Sequence, residues 1–392
     1  MKKSRIITMS CTSLLFLLLV GVSFMSAFGA GVAKAAPASK GRAWKVVASP
    51  NPSPNSDYLR GVAAISSNNV WTVGDDLVGT NKGDMIDQTL IEHWNGSSWS
   101  VVASPNPGTG PNGNALKAVA AVSVNDVWAV GFASGVGALI EHWNGSRWSV
   151  VANPGNGVLS ALTVVSANDI WAVGDDGGPT KTLIMHWNGT RWSVVASPSP
   201  STYYNSLSGV TAVSVNNVWA VGYASSSTNG YQTLVEHWNG SSWSVVASPN
   251  MGSTHDYLSR VTAISANDIW AVGGYFTLDS VGQTLIEHWN GTSWSIVASP
   301  TSGTLAALSG VAAVSASNVW AVGYTSNSTT GSSFQTLIMH WNGTSWSVVA
   351  SPNPGTYDTL SAVAHVPGTY NLWAVGNKES TPSAPTLTEF YG

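Results

Sequence analysis

One phrase recurs, imperfectly, along almost the whole chain. It runs L-S-G-V-x-A-V-S, then N-D-V-W-A-V-G, then T-L-I-E-H-W-N-G, then S-S-W-S-V-V-A-S-P. A unit repeated in this way cannot bury its apolar face alone and must stack on its neighbours. Each of the four pieces alternates side chains with period two and is rich in Val, Trp and Thr, as β-strands require. They are called strands a, b, c and d.

The tryptophans mark the copies. Strand b carries Trp71, Trp128, Trp171, Trp219, Trp270, Trp320 and Trp373. Strand c carries Trp94, Trp143, Trp187, Trp238, Trp289 and Trp341, with Phe390-Tyr391-Gly392 as a degraded further copy. Strand d carries Trp99, Trp148, Trp192, Trp243, Trp294 and Trp346, and its remaining copy is Trp44, in Trp44-Lys45-Val46-Val47. These positions account for all 20 Trp.

The chain thus opens with a lone strand d and ends with strands a, b and c. A linear stack would leave both ends as exposed edges, whereas a ring lets the first strand complete the last unit. Strand-b Trp residues 43 to 57 positions apart, in seven copies, fit an all-β, seven-bladed β-propeller with four antiparallel strands per blade. Strand a is expected to start near Leu59, Leu116, Leu159, Leu207, Leu258, Leu308 and Leu360, with residues 44–48 completing the seventh blade. Each c–d connection is built on Asn-Gly, as in Asn95-Gly96, which suits the positive φ of tight hairpins. The N-x-Ser/Thr sequons there are read as turns.

With these motifs in view, the chain resembles secreted bacterial β-propeller repeat proteins of the Asp-box (BNR-like) and kelch-like type. The resemblance runs through G-x-x-W, as in Gly96-Ser97-Ser98-Trp99, over the length of the repeats. Trp94 and Glu92 stand where an Asp box has Asp and Ser, and the paired glycines of kelch repeats occur only at Gly273-Gly274. The resemblance implies a propeller and assigns no catalytic residue.

Residues 1–36 read as a secretory signal, with Lys2, Lys3 and Arg5 before the apolar run Leu14 to Val22 and a small-x-small site at Ala33-Lys34-Ala35. Residues 37–392 would then form the propeller, exported and without a membrane anchor. Cys11 goes with the signal, so the exported chain is expected to have no disulfide and no thiolate ligand. From Pro37 onward the 11 bases and 19 acids give a net charge of −8, which argues against nucleic-acid partners.

Comparison of the copies separates scaffold from variable parts. Connections a–b and c–d keep nearly constant length, whereas b–c runs from 6 residues (Phe132 to Gly137) to 14 (Asp75 to Gln88). The d–a connections run from 6 (Asn153 to Val158) to 12 (Ser104 to Ala115). In an antiparallel blade b–c and d–a emerge at one end, so one face is uniform and the other varied, and function belongs on the varied one. Nine of the 11 Tyr fall there, as do most acids, so this face is expected to be acidic and Tyr-rich.

The candidate ligand-binding residues are Asp57, Tyr58, Tyr203, Tyr204, Asp256, Tyr257, Tyr357 and Asp358. A Tyr ring can lie against the apolar face of a sugar while a carboxylate accepts from its hydroxyls. The competing structural role is that Asp caps a turn and Tyr covers the blade end. His93, His142, His186, His237, His288 and His340 share one strand-c position, and equivalent positions in radial blades point apart, so they read as structural. The neighbouring Glu position holds Met185 and Met339 in two copies, which marks packing. Asp75-Asp76 and Asp175-Asp176 are the weak Ca²⁺ candidates; neither shows a full ligand ladder, and they are expected to be solvated loop acids, with no cofactor bound.

A sialidase-like site would need several Arg, and only Arg60 and Arg260 lie near the varied face. The expectation is a secreted, non-catalytic binding module that recognises an extracellular glycan or a protein partner through that face. The alternative is a carbohydrate-active hydrolase with a carboxylate pair there, roughly 5–10 Å apart.

Overall fold

A computed structural model describes residues 41–392, except 80–83, 111, 179–180, 228–229, 252–254, 278, 280, 301, 329–332 and 380–382. The expected signal segment and Cys11 lie outside the described residues. Among the described residues every regular element is a β-strand, and no helix is long and apolar enough to cross a membrane.

The first strand, β1 (Trp44–Val47), runs antiparallel to the last, Thr386–Tyr391, which continues to Leu372–Glu379 and Tyr357–His365 in one four-stranded sheet. The next four strands, β2 (Ser56–Ser66), β3 (Asn69–Gly79), β4 (Met85–Trp94) and β5 (Trp99–Val101), form a second meander. Two more four-stranded sheets begin at Asn114 and Val158. Between Asn205 and Val349 the same meander recurs three times within one twelve-stranded sheet, joined by single parallel bridges, Tyr231 to His255 and Gly282 to Leu305.

Aromatic rows hold successive sheets together. The strand-b Trp of one four-stranded meander packs on the strand-c and strand-d aromatics of the next. Trp71 lies 5.0 Å from Trp143 and 5.4 Å from Trp148. Trp219 lies 4.8 Å from Trp289 and 5.7 Å from Trp294. Trp320 meets Tyr391 at 4.7 Å and Trp44 at 5.8 Å, and Trp373 meets Trp94 at 5.0 Å and Trp99 at 5.1 Å. Tilted and edge-on pairs at these distances add to the area they bury. The chain is a β-propeller of four-stranded antiparallel sheets.

The repeated histidines belong to this framework. His142 Nε2 lies 2.8 Å from Asp126 Oδ1, and its ring stacks on Trp128 at 4.2 Å. His237 and His340 bond Asn217 and Asn318 in the same way. Glu92, Glu141, Glu236, Glu287 and Glu389 are fully buried, and burial pushes each carboxyl up to about 8. Each is therefore neutral at pH 7, which explains why Met185 and Met339, equally buried, replace them elsewhere.

Strand a starts one to three residues earlier than the repeat suggests, at Ser56, Asn114, Val158, Asn205, His255, Leu305 and Tyr357. Strands b and c are also longer. The stretch Asp75 to Gln88 is mostly ladder, with Asp75 opposite Thr89 and Gly79 opposite Met85. Length variation between copies therefore measures how far the hairpins extend as much as how long their loops are.

Candidate functional site

Each strand a breaks its ladder near its start, where one residue bulges out of register, and six of the seven break again near the end of the strand. The first break lies between Leu59 and Gly61, Leu116 and Ala118, Leu207 and Gly209, and at the equivalent points of the other copies. The bulged residue re-aims a side chain, and here it turns into a cavity bounded by the first strands of the sheets. Arg60, Lys117, Ser160, Ser208, Ser259, Ser309 and Ser361 line an upper chamber of about 350 Å³. One residue on, the copies carry Gly61, Ala118, Ala161, Gly209, Gly310 and Ala362, with Arg260 as the exception. The tier is crowded: a Cβ on Gly61 would sit 2.9 Å from the Ala118 Cα, and one on Gly209 2.9 Å from the Arg260 Cα. Next to it, Val62, Val119, Leu162, Val210, Val311 and Val363 line a narrower part of about 130 Å³, into which Arg60, Lys117 and Arg260 also reach.

Three cations meet in this cavity. The Arg60 guanidinium forks onto Asp75, with Nε facing Oδ1 and Nη2 donating to Oδ2 at 3.0 Å, and it lies 5.5 Å from the Tyr58 ring. Lys117 makes no ion pair among the described residues; its ammonium lies 5.7 Å from the Phe132 ring. Burial, and then the positive charge of Arg60, hold the Lys117 ammonium below the usual range, with Arg260 adding to the shift and Asp75 and Asp87 opposing it. Arg260 donates through Nη1 to the backbone oxygens of Ser208 and Ser259 (2.9 Å to the latter), and burial lowers it to about 10.

Around this centre, Asp175 accepts from the Gly177 amide and the Ser206 hydroxyl, each at 3.2 Å, and burial raises its carboxyl while nearby Lys117 opposes the rise. Beside it lie tyrosines, since Ser206 stands opposite Tyr223 in its ladder. Tyr204 stacks on Tyr223 with centroids 5.7 Å apart and planes 8° from parallel, and Tyr223 meets Tyr231 at 4.9 Å. The phenols of Tyr257 and Tyr324 are hydrogen-bonded, and burial raises both. Tyr324 leads through Phe334 to Tyr357, at 5.1 and 5.8 Å.

The structure splits the Asp-Tyr constellation expected from the sequence. Because strand a begins earlier, Asp57, Asp256 and Asp358 lie inside strands, and alternation turns them away from their Tyr neighbours. All three are buried; Asp57 accepts from the Ser53 amide at 3.1 Å and Asp358 from the Gly355 amide at 2.9 Å. Tyr58 and Tyr257 directly precede Leu59 and Leu258, but Tyr357 stands three residues before Leu360 and is not their equivalent. Tyr203 is exposed, with its amide bonded to the Ser201 hydroxyl.

The acid pairs also differ from expectation. Asp75 is not a solvated loop acid: it is 2% exposed, lies within β3 and is held by Arg60. Asp76 stands opposite Asp57, and burial followed by that neighbour raises its carboxyl to about 6. Asp176 accepts from the Gly178 amide in the turn after Asp175. Among the described residues no three His, Cys, Asp or Glu side chains are grouped to hold a metal ion. Lys117 and the five lining serines are site residues that the sequence reading does not single out, and it takes Tyr223 and Tyr324 only as part of the Tyr-rich face. Aligning the copies on Leu59 would have exposed Lys117, because five copies carry Ser at that position.

No family model and no curated protein matches the chain. Solved structures share its fold. The chain is similar to YCF48 bound to D1 peptide, with 12% identity over 91% of this chain and 99% of that one, and a TM-score of 0.56. It is similar to the β-propeller domain of Myceliophteria thermophila Cps50 (Swd1), at 10% identity over 89% and 99%, with a TM-score of 0.52. It is also similar to a polysaccharide lyase, PL25 ulvan lyase bound to -[GlcA(1-4)Rha3S]-, at 11% identity over 85% and 96%, with a TM-score of 0.52. At these identities the shared property is the fold, so the chain stands among β-propeller proteins.

Proposed function

We propose that the chain is a secreted, non-catalytic binding module, a ring of seven blades closed by β1, that recognises an extracellular glycan at the varied mouth of its central cavity. The ring is supported by the aromatic steps between sheets, which run on from Trp320 to Trp44 and from Trp373 back to Trp99. One observation carries the function. The copies repeat nearly every framework side chain yet diverge where strand a enters the cavity, at Arg60, Lys117 and Arg260 and at the Tyr58 and Tyr257 positions. Packing alone gives no reason for long charged side chains there, because other copies fill those places with Ser, Gly or Ala. Rigid scaffolds bearing singular residues at one mouth are a common form of ligand site.

Two buried carboxylates of the first full sheet already have partners, Asp75 in Arg60 and Asp57 in the Ser53 amide, which favours binding over acid–base hydrolysis by these two. A glycan array followed by hydrolysis assays on each hit is the test. Retention of an intact glycan supports the module. Turnover would replace it with a carbohydrate-active hydrolase, and an empty array with capture of a protein would identify a protein partner. The module needs no cofactor, so Ca²⁺ followed by chelator should leave its unfolding temperature unchanged.

A further inference from the structure

We infer that the upper chamber takes the carboxylate of an acidic sugar, held by Lys117 and Arg260 with sugar hydroxyls facing the serine ring; this rests on the glycan reading above. The chamber is lined by Arg60, Lys117 and Arg260 and, among the described residues, by no carboxylate. That sign is opposite to the chain's overall excess of acids. Arg60 is ion-paired with Asp75, whereas Lys117 and Arg260 form no ion pair among the described residues; the carboxylates that bear on Lys117, those of Asp75, Asp87 and Asp175, stand outside the chamber lining. Among the described residues Arg260 uses only Nη1 on protein acceptors, which leaves its Nε–H and Nη2 donors for a ligand. Guanidinium and ammonium donors to one carboxylate form short, charge-assisted hydrogen bonds, stronger than neutral ones.

Holding two unpaired cations together in a recessed chamber is costly without an anion, because burial and like charge both disfavour them. The repeat shows that the cost is not structural: Lys117 stands where five copies have Ser, and Arg260 where the others have Gly or Ala. The remaining wall favours a sugar over the side chain of an acidic peptide. Ser160, Ser208, Ser259, Ser309 and Ser361 supply five hydroxyls. A pyranose can match several of them, whereas an Asp or Glu side chain offers only its carboxylate. A volume of about 350 Å³ lies within the range of small-ligand sites.

The variants that test this restore the repeat: Lys117→Ser and Arg260→Ala. Each puts in a side chain that other copies already carry, so both should fold, with unfolding temperatures at or above that of the parent. Equilibrium titrations at fixed ionic strength would use D-glucuronate, D-galacturonate, D-glucose and a hexaglutamate peptide. At least one uronate should bind saturably, roughly tenfold or more tighter than glucose, and each variant should lose about tenfold or more of that affinity. Saturation by neither uronate would overturn the site, as would variants that bind uronate like the parent. Hexaglutamate binding as tightly as the better uronate would overturn the assignment to a sugar. The two readings fail separately. Array hits confined to neutral glycans and bound equally by the variants would remove the carboxylate site and leave the module. Hydrolysis of a uronate that the variants no longer bind would remove the non-catalytic module and leave the site.

Discussion

Trp44 and Tyr391 face each other as the first pair of the β1 ladder, with ring centroids 5.5 Å apart. Tyr391 occupies the place that strand-c Trp holds in other copies, and Trp44 that of strand-d Trp. Polar contacts reinforce the ladder: the Thr386 amide donates to Asn51 Oδ1 at 2.7 Å, and the Thr388 hydroxyl donates to the Val47 carbonyl at 2.6 Å.

Removing residues 37–50 should therefore strip the last sheet of its outer strand and uncover Trp320. An exposed edge invites pairing between chains. The expected result is a large fall in unfolding temperature with aggregation, read by calorimetry and light scattering. Unchanged unfolding would show that β1 is dispensable and that the ring is closed by other means.

Periodicity made the framework legible. The period-two phrase located the strands, and the Asn-Gly pairs located the hairpins, where Gly96 adopts φ +99° and Asn95 Oδ1 accepts the Ser97 and Ser98 amides. The shared strand-c position of the histidines was enough to read them as structural. The cavity was harder to see, for two physical reasons. Asp75 looked like a loop acid because polar residues in an extended hairpin resemble loop residues in composition. Lys117 lies at a bulge and Arg260 one residue past another, far apart in sequence, and both line the same cavity. Convergence of that kind depends on how the sheets of the propeller are arranged, which one strand's pattern does not contain.

The buried glutamates make the pH dependence unusual. Their carboxyls rise from 4.5 to about 8 through burial, so the folded chain holds more protons than the unfolded chain between those values. Stability is then full below about 4.5 and falls as pH rises towards and through 8. His93, His237 and His340, lowered by burial, act the other way in the acid part of that window, and they are fewer. The unfolding temperature should fall steadily from pH 6.5 to 9. Glu236→Met should flatten the slope and stabilise the chain at pH 8.5 by on the order of 1–3 kcal/mol, the cost of an unsatisfied buried polar group. A stability maximum at pH 8–9 would contradict the buried, neutral assignment.

Asp126 offers a test of the histidine framework. Its Oδ1 accepts from Trp128 Nε1 at 2.8 Å and meets His142 Nε2 at 2.8 Å, so one atom orders two rings. Asp126→Ala should cost about 1–3 kcal/mol in chemical denaturation, because it leaves a buried indole N–H without an acceptor. Asp126→Asn should cost less than about 0.5 kcal/mol, as expected of a substitution that disturbs no packed feature. Asn217 already makes both contacts in another copy, to Trp219 and His237. Equal losses for both variants would mean that the negative charge, not the acceptor geometry, supports the rings.

Binding and folding should separate between Tyr58 and Trp219. Trp219 is buried among His237, Trp289 and Trp294, with His237 4.2 Å away. Trp219→Ala should cost about 3–5 kcal/mol through lost burial and the cavity left behind. Tyr58 is only half-buried and touches the cavity through the Arg60 guanidinium, outside the Trp framework. Tyr58→Ala should leave unfolding nearly unchanged while weakening glycan affinity by about 1–2 kcal/mol, close to tenfold, through loss of a stacking ring. Both quantities can be read on the same samples, by denaturant titration and by binding to whichever glycan the array returns. Suppose Tyr58→Ala unfolds as readily as Trp219→Ala while its folded fraction binds normally. The ring would then be a cover for the sheet end, and recognition would have to rest on the Tyr204–Tyr223 stack across the mouth.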